Sequence, residues 1–490
     1  MSEKPYDIII GLEVHVQLQT KTKLFCRCST KFGAPPNTQT CPVCIGMPGS
    51  LPVMNREAFQ LGLKTAVALN CEIPEFTKWD RKNYYYPDLP KGYQISQYDL
   101  PMSQQGWLEI FDVKGEFEPK RVRITRAHLE EDAGKSLHDE AAGKADSRID
   151  LNRTGTPLLE IVSEPDMRSP REAKTYLQEL RLTLLYLGVS DCNMQEGSLR
   201  CDANVNIHIH TPQGKIATPI VEIKNLNSFR HVERAITYEA TRQYEAWQEN
   251  GKKFGEAPKQ TRGWDDAAGV TKVQREKEES SDYRYFPEPD LSPVITPAQV
   301  VETVRKELCE LPMPLRERLE KTYAIPRYDS DVIVSQGRDC VDYYEQTAQL
   351  SGDGKRASNF VQQEVLRIMN EQNLTLEAFP VRPPALAELV KAISQGEVDI
   401  TRGKEVFNEM VASGKSAGEI MKAMGIEKLD NSELVKICEE IVAANPKIVA
   451  DVKGGKEQAV SSLIGQAKKR NPNVLPAEIK KICLEIIAKL

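Results

Sequence analysis

Two groups of residues near the start of the chain have the types and spacing to do chemistry. Glu13 and His15 lie in IIIGLEVHVQLQ, where Leu12, Val14, Val16 and Leu18 alternate with Glu13, His15, Gln17 and Gln19. A period of two is that of a strand, so the acid and the imidazole project side by side from one face and the aliphatic set covers the other. Shortly after stand Cys26, Cys28, Cys41 and Cys44, a C-x-C pair and a C-P-V-C pair joined by a short polar loop. Two close pairs offer a tetrahedron of thiolates at little cost in loop entropy, which suits zinc, and Pro42 and Gly46 favour the tight turn. Such a centre leaves no ligand position open, so its role is structural. The rival reading is two pairs of reduced core thiols.

Further carboxylates stand at Glu130, Glu131, Glu160 and Asp202. Asp202 belongs to GSLRCDANVNIHIH, where Arg200, Asp202, Asn204, Asn206, His208 and His210 share one face by the same period. An oxygen-rich set with one imidazole suits magnesium or manganese bound to a phosphate-bearing ligand; the bland alternative is a solvated sheet face. The stretch KWDRKNYYYPDLPKGYQISQYD, Lys78 to Asp99, interleaves aromatics with Lys and Arg. It reads either as a platform that stacks a base or ribose and neutralises phosphate, or as a surface loop pinned by tyrosines. Ala133-Gly134-Lys135-Ser136 is only the end of a P-loop pattern, because the first glycine would fall at Leu129.

The elements that must position these groups follow from the same periodicities. Arg56 to Leu69 reads as a helix, and Arg121 to Lys135 as a strand turning into an acidic loop. Arg148 to Asp166 reads as strand, Gly turn, strand. Pro170 to Gly188 reads as a helix opened by Ser169 at the N-cap with proline at the first position. At 490 residues the chain exceeds one core. All six histidines lie at or before His231, and no aromatic follows Phe407. These shifts predict a β-rich mixed domain over 1–292, a helical domain over 293–405 and a small helical tail over 406–490. No apolar run approaches the ~20 residues of a membrane span, and the N-terminus has no secretory or transit pattern. Eleven cysteines, mostly scattered singly, predict reduced thiols in a cytoplasmic setting. A formal net charge of −6 confines any nucleic-acid surface to a local patch. In the tail, Lys453, Lys456, Lys468, Lys469, Arg470 and Lys480 outnumber the acids around them; a solvated helix face is the commoner meaning of such a run.

GLEVHVQL, CPVCIGMPGSLPVMN, KNYYYPDLPKGYQISQ, HLEEDAGK, NRTGTPLLEIVSEPD, EGSLRCDANV, EIKNLNSF, TRGWD and DYRYFPEPDL occur in this order. Together they resemble the B subunit of the aspartyl/glutamyl-tRNA amidotransferases. LPMPLRERLEK and NPKIVADVKGGKEQAVSSLIGQAKK extend the likeness more loosely. VQREKEESS, just ahead of DYRYFP, departs from the family pattern of a basic residue, a serine and a histidine. The resemblance implies an α+β fold, an antiparallel-sheet cradle with a zinc knuckle, followed by an all-α domain and a small all-α tail that binds tRNA. It implies ATP-dependent phosphorylation of the side-chain carboxylate of misacylated tRNA, then amidation by ammonia from a glutaminase A subunit, within a heterotrimer that includes a small C subunit. It assigns Glu13, His15 and Glu130 to magnesium and Cys26, Cys28, Cys41 and Cys44 to zinc. It assigns catalytic roles to Glu13, His15, Glu130, Glu160, Arg200 and Asp202, and ATP or substrate contacts to Lys82 and Asn204, with Tyr84 and Tyr85 along the approach. The chain has no amidase Ser-Ser-Lys constellation, so ammonia must come from elsewhere.

Overall fold

A computed structural model describes residues 5–138, 147–256, 259–276, 283–426, 431–471 and 474–490. Of the segment 273–281, where the sequence departs from the family pattern, residues 277–281 lie outside the described residues. Its chain contacts divide it into two compact units, Met1–Met313 and Pro314–Leu490.

The first unit is organised by a nine-stranded sheet. Its strands are β1 (Tyr6–Gln17), β2 (Gln104–Ile110), β3 (Lys120–Glu131), β4 (Pro157–Ser163), β5 (Leu199–Thr211), β6 (Gly214–Ala217), β7 (Val221–Lys224), β8 (Gln260–Asp265) and β9 (Val270–Glu276). The lateral order is β9-β8-β7-β5-β1-β4-β3-β2, with β6 paired to β5. Every pair is antiparallel except β7 with β8. The alternation expected of β1 and β5 is present. Ile10, Leu12, Val14 and Val16 of β1 and Leu199, Ala203, Val205 and Ile207 of β5 are buried. Three helices, α1 (Arg56–Ala68), α2 (Pro170–Leu187) and α3 (Phe229–Asn250), contribute to the same core. Each starts as its sequence directs: the side chains of Asn55, Ser169 and Ser228 accept hydrogen bonds from backbone N–H groups of the first turn. Pro170 opens α2, and Gly188 ends it in the left-handed conformation, φ 65°.

The aromatic stretch is more ordered than a loop. Asp80–Asn83 and Tyr93–Ser96 pair with each other, and Phe286–Pro287 adds a third strand. The first unit also runs past the boundary expected at 292. Val294–Ile295 pairs with Phe76–Thr77, and the helix Ala298–Glu307 packs Val301 and Val304 against the core. The described residues of the second unit are helix and connecting turns. Its helix Ile400–Ser413 runs across the boundary expected between 405 and 406, capped by Asp399. Cys438, Ile441, Leu463, Cys483 and Ile487 form a small core near its end.

Candidate functional site

Register decides what the polar sheet face can do. Paired residues of an antiparallel sheet share a face. His128 of β3 pairs with Glu160 of β4, Glu160 with His15 of β1, and His15 with Arg200 of β5. Four side chains from four adjacent strands thus form one lateral row. In the row on one side Glu13 pairs with Asp202; in the row on the other side Glu130 of β3 stands opposite Leu158 of β4, which pairs with Gln17 of β1.

Within this face His15 Nε2 lies 3.4 Å from Glu160 and 3.7 Å from Glu130. His15, Glu130 and Glu160 each offer a ligand atom within 4.8 Å of the others. Glu13 is not in that group: its carboxylate accepts from the Asn204 amide at 2.8 Å. The charges are strongly biased. Burial pulls the His15 imidazole down, but the hydrogen bond and charge of Glu160, with Glu130 beside it, lift it to about 9. Burial and the neighbouring Glu160 push Glu130 up. Burial also opposes ionisation of Glu160, and the two flanking imidazoles overcome it and hold it well below the usual range. His128, buried and 3.6 Å from Glu160, is driven by desolvation to about 4.

A cleft of about 360 Å³ opens beside these groups, bordered by His15, Glu130, Asp132, Arg200, Asp202 and Lys224. Arg200 donates to Asp132 at 2.8 Å; Gln17 donates to the same oxygen at 2.9 Å, and Arg153 lies 3.4 Å away. Lys224 pairs with Asp202 and lies 3.1 Å from Glu222. Lys82 also borders the cleft, 5.0 Å and 5.7 Å from the ring centres of Tyr283 and Tyr84. Burial opposes its charge, and Glu130 restores it, raising its pKa. Tyr98 stacks on Tyr285 at 4.2 Å, and Tyr85 is 76% exposed. Asn204 Oδ1, Arg200 Nε and His128 Nδ1 are buried without a partner, which is the state expected of polar atoms around a site built for a ligand.

The remaining assignments separate. Glu131 faces away, paired with Lys91 and accepting from the Ile95 N–H at 2.8 Å. The A-G-K-S segment leads into the strand Lys135–His138, not a helix, so it cannot cradle phosphate as a P-loop does. Asp132, Lys224 and His128 join the site although sequence reading gave them no role. Only the HLEED run and the alternation of EIK hinted at them.

The cysteines converge as their spacing predicts. Cys44 Sγ lies 3.4 Å from Cys26, 3.6 Å from Cys41 and 3.7 Å from Cys28. A tetrahedron with metal–sulfur bonds of ~2.3 Å has edges of about 3.8 Å, and a disulfide would bring sulfurs to ~2.05 Å. The donor set therefore fits a tetrahedral metal ion. Cys41 caps the turn Pro42–Ile45, which Gly46 closes at φ 69°. The hydrogen bond from Cys26, with the Lys23 ammonium adding, pulls Cys44 down to about 4.

A sheet presenting an acid–imidazole cluster beside paired cations is a candidate catalytic face, and comparison with known proteins gives its family. Residues 8–302 match the family model of the GatB/GatE catalytic domain, and residues 342–487 match the GatB domain model. The B subunit of the aspartyl/glutamyl-tRNA(Asn/Gln) amidotransferase of Rhodopirellula baltica is 58% identical over 99% of this chain and 98% of its own. Relatives of the same name from Moorella thermoacetica and Carboxydothermus hydrogenoformans are 50% and 45% identical, over 95% and 99% of the chain and 96% and 100% of their own lengths. The chain belongs to the GatB/GatE family, and its enzymatic role is that of an amidotransferase, a ligase. Among the described residues no helix is long and apolar enough to cross a membrane.

Proposed function

We propose that the cleft activates the side-chain carboxylate of Glu on tRNA(Gln), or of Asp on tRNA(Asn), by transfer of the γ-phosphoryl group of ATP. A carboxylate oxygen attacks phosphorus and ADP leaves, giving an acyl phosphate. Ammonia then attacks the carbonyl carbon and inorganic phosphate departs, leaving the amide. Such a transfer between anions needs alignment and charge neutralisation more than covalent help. The observation that carries the reading is the juxtaposition of His15 and Glu130, grouped with Glu160, and of Arg200 and Lys224 around one cleft.

In this reading His15, Glu130 and Glu160, with Glu13 one register step away, hold a magnesium ion, which when bound supplies positive charge to the phosphates. Arg200 grips phosphate oxygens, positioned by Asp132. Lys224 leaves Asp202 to do the same. Lys82 meets the incoming carboxylate, and Asn204 fixes Glu13. The cysteines hold a structural zinc. The basic tail over 406–490 contributes affinity for the tRNA backbone. Ammonia comes from a glutaminase A subunit in a cytoplasmic heterotrimer with a small C subunit.

The test is a complex carrying Glu13→Ala and His15→Ala, assayed for phosphate release from ATP with Glu-tRNA(Gln) and for Gln-tRNA(Gln) formation from ammonium chloride. Both should vanish while the partner's basal glutamine hydrolysis survives. Near-normal amide formation from ammonium would place the activation step elsewhere.

A further inference from the structure

Lys23 lies between the cysteine cluster and the cleft, and neither its sequence context nor the proposed reaction gives it a task. Its side chain is 0% exposed. Its Nζ donates to the Gln39 carbonyl at 2.7 Å, reaches Cys44 Sγ at 3.4 Å and lies 3.5 Å from the Leu151 carbonyl. Among the described residues no carboxylate oxygen lies within 4.0 Å of this ammonium; the nearby Glu131 is engaged by Lys91. A cation taken out of water without a counter-charge costs several kcal/mol. Two backbone carbonyls orient it but do not neutralise it. The negative charge within reach is on sulfur.

A divalent ion held by four thiolates carries a net charge of −2, equally costly to bury alone. The two burials solve each other. We propose that Lys23 is the buried counter-charge of a four-thiolate metal centre and ties that centre to the wall of the cleft. The first half rests on the zinc reading above. The second follows from the chain beyond Leu151. The Gly155 N–H donates to the Asp132 carbonyl at 2.8 Å, and the Asp132 N–H donates to the Thr156 carbonyl at 2.8 Å. Asp132 in turn holds Arg200. One ammonium therefore contacts both the metal knuckle and the loop that sets the position of the cleft's arginine. Its stem passes 3.5 Å from where a side chain at Gly155 would begin, so the loop and the lysine are packed together as well as hydrogen-bonded.

The experiment uses the assembled complex with Lys23→Met or Lys23→Gln. Methionine keeps the bulk; glutamine keeps bulk and a donor for the Gln39 carbonyl; both remove the charge. Zinc content is measured first, then the rate of zinc release to a chromophoric chelator, and the absorption of the cobalt-substituted protein. Both variants should release zinc at least tenfold faster while cobalt still shows the charge-transfer bands of four thiolates. Release by Lys23→Gln at the rate of the unaltered complex would overturn the counter-charge role, since the centre would then be held as well without the charge. An unaltered complex with no zinc would overturn the zinc reading itself, and this inference with it.

Discussion

The molecule has two clusters of candidate metal ligands, and they are built in opposite ways. The cysteine cluster is local: Cys26 to Cys44 close on themselves around one turn, and all the ligands are sulfur. The cluster on the sheet is assembled from β1, β3 and β4, mixes one imidazole with two carboxylates, and borders an open cleft. A closed soft-ligand set holds an ion for its structural effect; an oxygen-rich set beside a cavity leaves room for phosphate and water. The comparison teaches that position, not the presence of ligands, separates a working ion from a fixed one.

The sharpest way to break this comparison is to remove a ligand from the sheet cluster. His15→Ala or Glu130→Gln should cut amide formation by about 10²–10⁴, roughly 3–5 kcal/mol of transition-state stabilisation, with partner glutaminase activity kept at its basal level. Steady-state rates with ammonium chloride as donor measure it directly. Glu13→Ala should cost less, about tenfold to a hundredfold, because its carboxylate is held by Asn204 outside the three-ligand group. If Glu13→Ala is as damaging as Glu130→Gln, the ion sits nearer the Glu13 row than the His15 row.

Disrupting the other cluster should show up as stability before activity. Cys41→Ser is expected to abolish zinc content and lower Tm by roughly 5 °C, read by metal analysis and calorimetry. Full zinc retention after all four cysteines are changed to serine would mean that the metal binds elsewhere. The smallest effect belongs to the tail. Truncation after Gly414, past the end of the helix Ile400–Ser413, should raise KM for charged tRNA by about tenfold, roughly 1.4 kcal/mol, and flatten its salt dependence while sparing kcat. A salt slope identical to that of the full chain would remove the tail from the tRNA surface.

The sheet site was half legible in the sequence. Period two placed Glu13 and His15 on one face of a strand and Arg200, Asp202 and Asn204 on another, and both faces are where they were expected. Periodicity carries no register, however. That His15 meets Glu160 and Arg200, while Glu13 meets Asp202, depends on pairings made across some 150 and 190 residues of chain. Lys23 was invisible, and Asp132 only hinted at, for a related reason: each meets a loop, Leu151–Thr156, whose course no local pattern dictates. The aromatic stretch misled in the same way. Its strands are two short pieces completed by Phe286–Pro287, far along the chain. The cysteine knuckle, closed within one segment, was readable nearly in full.

The place of β1 in the sheet also sets a timetable. Of the strands of this sheet β1 comes first in the chain, and it sits between β4 and β5, whose last residues are Ser163 and Thr211. At about 5–20 residues per second, β1 waits on the order of 10–40 s for its second neighbour to be synthesised. Until β4 is made both of its edges are unpaired, and until β5 follows one edge stays open, the condition under which strands aggregate. Nascent chains stalled before Leu199 should leave this segment open to protease, and chains extended well past Lys224 should protect it. The strand that bears Glu13 and His15 therefore keeps an open edge until β5 has been made.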